Sequence, residues 1–166
     1  MCKLRFVGMM VLIVFAMSIV LVGNAVAAEK FKWCVVWYIV KSESVNVPSE
    51  EGRIILVSEA KGILTVLQGS QRMDRMAGVV VFSNDMNTKT GTGFNHGVIQ
   101  FTDRDGDKTY WSIEGKAVKG SWSGPGTFVR GTGKFEGLKA KATWSTVTVA
   151  PNQFYADWDG EMELPR

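Results

Sequence analysis

The chain has 166 residues, 46% of them hydrophobic and 21% charged, with a formal net charge of +3. That length supports one domain able to bury a working core without staples. Two of the 19 basic residues, Lys3 and Arg5, lie in the first 27 positions; without them 17 face 16 acidic residues, which excludes a basic surface for nucleic acid.

The chain begins with those two cations, an apolar run from Phe6 to Val22, and small residues at Ala25-Val26-Ala27. This is the pattern of a secretory signal over residues 1–27, cleaved after Ala27, leaving a periplasmic or secreted domain of residues 28–166. The alternative is an uncleaved anchor, because about 17 residues is the low edge of what spans a bilayer. Gly8 and Ser18 weaken the run and no basic stop-transfer cluster follows it, so no membrane contact is expected after cleavage. Cys2 precedes the apolar run and is not placed for acylation. Cys34 alone remains, which excludes an intramolecular disulfide and a cysteine metal site. Lying inside an apolar strand pattern, it reads as a small buried hydrophobe rather than a reactive thiol.

From residue 31 onward the apolar segments have strand length and composition and are bounded by turn residues. They run over 31–40, 53–58, 62–67, 78–83, 97–102, 108–113, 126–129, 138–149 and 154–162. Polar links separate them, including Glu59-Ala60-Lys61 and Asn84 to Lys89. The Asp105-Gly106 pair is the strongest hairpin signal. Eight or nine strands without helical periodicity predict an all-β antiparallel up-and-down barrel, closed so that no edge is left exposed.

Glycines inside the strand pattern favour a barrel over a sandwich, through bends, bulges or close backbone approach. Gly126, Gly131, Gly133 and Gly137 form the densest group, and Gly91-Thr92-Gly93 echoes Gly131-Thr132-Gly133, each with a further glycine four residues on. The first strand is apolar on both faces: Phe31, Trp33, Val35, Trp37 and Ile39 on one, Cys34, Val36, Tyr38 and Val40 on the other. A monomeric barrel should show polar residues on its outer face. Another subunit, a loop or a terminal helix is therefore expected to cover that side, and a homo-oligomer is the preferred reading.

Motifs for catalysis are few. The glycine spacing fits neither a Walker loop nor a dinucleotide fingerprint. Asp103, Asp105, Asp107 and Glu114 stand at EF-hand positions, but Lys108 replaces the required glycine and the following residues alternate as a strand, so a solvated hairpin tip is preferred. His96 is the sole histidine, which excludes a two-histidine metal site; a Cys34–His96 pairing is left open, with nothing local to support it. No metal and no cofactor are expected. Asp157 and Asp159 alternate with Trp158 and read as surface residues if the aromatics face inward. The predicted ligand-binding set is aromatic, Trp33, Trp37, Phe101, Trp111, Trp144 and Trp158, with Glu114 as the polar candidate.

The stretch from Gly126 to Met162, with Gly131-Thr132-Gly133-Lys134-Phe135-Glu136-Gly137, the strand from Ala140 to Val149, and Pro151 to Gly160, resembles the allene oxide cyclase-like barrel superfamily, which includes the plant dirigent proteins. The resemblance implies an eight-stranded antiparallel barrel, often trimeric in eukaryotic members, with an apolar cavity at one mouth and small hydrophobic ligands. No functional residue of the cyclases is matched; by analogy with dirigent cavity acids, Glu114 or Asp157 could act. Three readings follow: a non-catalytic barrel binding a small hydrophobic or aromatic ligand, a structural or assembly module with a solid barrel, and an isomerase or cyclase acting on a lipophilic substrate.

Overall fold

The computed structural model describes residues 28–165, so the signal-peptide reading of residues 1–27 lies outside the described residues. Eight strands close into one antiparallel barrel in simple chain order: β1 Glu29–Asn46, β2 Arg53–Gln68, β3 Ala77–Asn87, β4 Thr92–Thr102, β5 Lys108–Val118, β6 Ser121–Gly131, β7 Lys139–Ala150 and β8 Gln153–Glu163. β8 pairs back onto β1, with Trp33 opposite Trp158 and Trp37 opposite Phe154.

Three sequence expectations are corrected. Glu59-Ala60-Lys61 does not break a strand; it continues β2, with buried Ala60 keeping the inward parity of Ser58 and Leu64. Asn84 to Asn87 is strand rather than loop, because Asn84 shares the inward face of Val80 and Phe82. The two Gly-Thr-Gly segments are not equivalent: the first opens β4, while the second closes β6 and enters a 3₁₀ turn.

A different repeat shapes the barrel. Ser70-Gln71-Arg72-Met73-Asp74-Arg75-Met76 and Thr132-Gly133-Lys134-Phe135-Glu136-Gly137-Leu138 each form a 3₁₀ turn at the same barrel end. Each then passes through a left-handed residue, Arg75 (φ 59°) or Gly137 (φ 78°). Met73, Met76, Phe135 and Leu138 are 0–4% exposed, so the paired turns form an apolar floor.

Most strand glycines make room rather than bends. Across four strands the register runs Trp37, Gly62, Gly78, Phe101. A Cβ on Gly62 or Gly78 would lie 2.7 or 2.8 Å from the Trp37 ring. Likewise Gly115 lies against Trp144, and Gly126 against Trp158. Each tryptophan ring packs on backbone whose side chain has been deleted, Trp37 on β2 and β3, Trp144 on β5 and Trp158 on β6, the last two each lying two strands away.

Asp103, Asp105 and Asp107 cluster at the β4–β5 hairpin, yet the cation they hold belongs to the chain. Lys134 pairs with Asp103 and, at 2.9 Å, with Asp105. Burial pushes the Asp103 carboxyl up, but Lys134 and the Asp105 and Asp107 backbone N–H groups outweigh it and hold it below the usual range. A lowered carboxyl stabilises the fold above its unfolded value near pH ~4, and that contribution disappears as pH falls through the folded value. Lys134→Met is therefore expected to lower the urea midpoint at neutral pH and to flatten its fall in acid. Urea titrations across acid pH check both.

Candidate functional site

The interior has two unlike halves. Toward the floor, Phe31 stacks on Trp33 at 3.9 Å, and Trp33 and Trp158 each meet Trp111 edge-on, at 5.6 and 5.7 Å. Phe31, Trp33 and Trp111 are at most 1% exposed, so this half is solid. The Trp33 and Trp158 indole N–H groups are buried there without a hydrogen-bond acceptor. A buried indole N–H ordinarily finds an acceptor, so leaving these two unpaired costs stability.

Toward the other end the interior opens into a cup of about 240 Å³. Trp37 from β1, Phe82 from β3, Trp122 from β6, Trp144 from β7, and Phe154 and Trp158 from β8 supply its aromatic wall, with Ile39, Leu56, Val80, Met86, Ile99 and Ile113 between them. Parity explains the arrangement: these residues occupy the inward positions of their strands, past the level at which the floor aromatics meet. Trp144 is fixed through its indole N–H, which donates to the Pro125 carbonyl at 3.0 Å.

The cup's polar groups are neutral. Asn84 and Asn95 stand opposite each other on β3 and β4, and the Asn95 amide donates to the Asn84 side-chain oxygen at 2.5 Å. Thr146 and Thr148 line the opposite wall. Among the described residues no titratable side chain lines the cup, so a proton transfer inside it would find neither a general acid nor a general base among them.

The predicted site residues divide accordingly. Trp37, Trp144 and Trp158 meet at the cup. Trp33, Phe101 and Trp111 are buried, but none lines it. Glu114 is a correction. Since Trp111 and Ile113 point inward on β5, Glu114 points outward, with its side chain 73% exposed, 4.0 Å from His96. Asp157 and Asp159 are exposed on the outer face, as the alternation predicts. Cys34 is also outside, half-buried beside Asp157 rather than in the core. Burial there and the neighbouring Asp157 push its thiol up, away from the reactive thiolate. Its register partners are Thr65 and Asp157, whereas those of His96 are Ser83 and Glu114, so no Cys34–His96 pair forms. Phe82, Trp122, Phe154, Asn84 and Asn95 were missed. For Phe82 and Phe154 the inward parity shared with Val80 and Trp158 was the available signal.

No family model matches the chain, and no curated protein matches it. Among solved structures it is similar to a pterocarpan synthase dirigent protein, with a TM-score of 0.50 and 11% identity, over 84% of this chain and 92% of that one. The fold is the dirigent-like barrel. A second pterocarpan synthase dirigent protein aligns with a TM-score of 0.49 and 14% identity, over 84% of this chain and 96% of that one. At such identities the dirigent-like likeness describes the path of the strands, and the cup's chemistry stands on this chain's own residues.

Proposed function

We propose that this protein is an exported, non-catalytic barrel that holds a small uncharged aromatic or apolar ligand in the open cup. The observation that carries the reading is the contrast within one interior. Side chains fill the floor half, while the other half keeps an open aromatic cavity with a few neutral polar groups, the composition of a small-ligand site. Its volume lies just below the usual drug-sized range, which suits a ligand of one or two fused rings. Export rests on the signal pattern before residue 28.

Charge provides the sharpest test. An ionised ligand in this cup would lose water and meet no countercharge, a penalty that neutral isosteres escape. Neutral naphthol is expected to quench or shift tryptophan fluorescence saturably, whereas naphthoate of similar shape binds at least about tenfold more weakly. Equal affinity for the two, or a flat response to naphthol, would count against the reading. Trp37→Ala, which removes a cup wall, is expected to weaken naphthol binding by a further factor of about ten or more in the same titration.

A further inference from the structure

β1 is covered unequally on its two edges. β2 pairs with it out to Asn46, but β8 pairs with it only as far as Tyr38. The Ile39 N–H donates to the Asn152 carbonyl at 2.9 Å. Beyond that point, among the described residues, the β8-side edge of β1 from Val40 to Asn46 has no strand partner. An open edge is a template for another strand, and natural proteins usually guard it with charge that repels a copy.

Here the charge is self-complementary. Lys41 and Glu43 flank Ser42, 3.0 Å apart, with side chains 71% and 74% exposed. If the segment pairs antiparallel with itself about a two-fold axis through Ser42, Lys41 falls opposite the partner's Glu43, and Glu43 opposite the partner's Lys41. Moving the axis to Lys41 or Glu43 places like charges face to face, and moving it to Ser44 leaves both charges without a countercharge opposite, so the axis through Ser42 is the one the charges favour. Val40, at the start of this edge, adds apolar surface that a second copy would shield, being 53% exposed.

We propose that the chain forms a two-fold dimer in which the Val40–Ser44 edges of β1 pair antiparallel and join two barrels through one continuous sheet. The test is sedimentation equilibrium on the protein purified after expression of the full chain. Wild type is expected to be dimeric at micromolar concentration. Lys41→Glu and Glu43→Lys each turn two attractive cross-strand contacts repulsive, and each should raise the dimer Kd about tenfold or more. The double variant K41E/E43K rebuilds both contacts and should restore the wild-type value. In wild type, alternate amides from Val40 to Ser44 should exchange hydrogen more slowly as concentration rises. A monomer, a trimer, an oligomer indifferent to single reversal, or failure of the double variant to recover would overturn the proposal.

Discussion

Phe135→Ala is expected to destabilise the barrel by about 3–5 kcal/mol, the range for removing a fully buried aromatic ring. Phe135 is 0% exposed and forms the floor with Met73, Met76 and Leu138. Its backbone is committed as well: its N–H donates to the Thr132 carbonyl at 3.0 Å, and its own carbonyl accepts from Leu138 at 3.2 Å. The turn therefore has little freedom to collapse into the space the ring leaves, and residual cavity volume is what raises the cost. Val129→Ala, at an outer position 60% exposed, should stay within about 0.5 kcal/mol. Denaturant unfolding of both variants checks the contrast. A loss below about 1 kcal/mol for Phe135→Ala would mean that the paired turns do not seal the barrel. Naphthol affinity should change little, because the floor and the cup occupy opposite ends.

Gly126→Ala is expected to damage stability and the cup together. The added Cβ would lie 2.2 Å from Trp158 Cζ3 and 2.8 Å from Cη2, closer than non-bonded carbons can approach. Either β6 moves outward or the Trp158 ring moves inward. The ring is held edge-on against Trp111 on one side and lines the cup on the other. Overpacking of this kind costs about 1–3 kcal/mol. Displacing the ring toward the open side also reduces the volume left for a ligand, so naphthol affinity should fall about tenfold or more. Stability lost with affinity unchanged would show that Trp158 is not part of the cup's wall in solution.

Strand alternation was legible in the sequence wherever it was clean. The grouping of Phe31, Trp33, Val35 and Trp37 on one face, and of Asp157 and Asp159 on the face opposite Trp158, follows from a period of two; the structure adds that the aromatic face is the inward one. Eight strands and closure also follow from the strand-length segments and short links. The cup was only half legible, because inward-facing polar residues look like loop. Asn84 and Asn95 stand opposite each other inside the barrel, where each amide finds a partner that sequence alone cannot supply. The glycines signalled close approach, but not which ring approached: Gly126 and Trp158 lie on β6 and β8, strands that are not even neighbours. The floor repeat escaped notice because it conserves character rather than identity, Met73 matching Phe135 and Met76 matching Leu138.

The division of the interior into a solid half and an open half is tested most directly by following the six tryptophan indole N–H resonances during a titration with neutral naphthol. Trp37, Trp122 and Trp144 line the cup without belonging to the floor cluster, so their signals should shift together and saturate. Trp33 and Trp111, sealed beneath them, should stay in place. Shifts spread equally over all six, or none at any concentration, would contradict an open ligand cup above a packed aromatic floor.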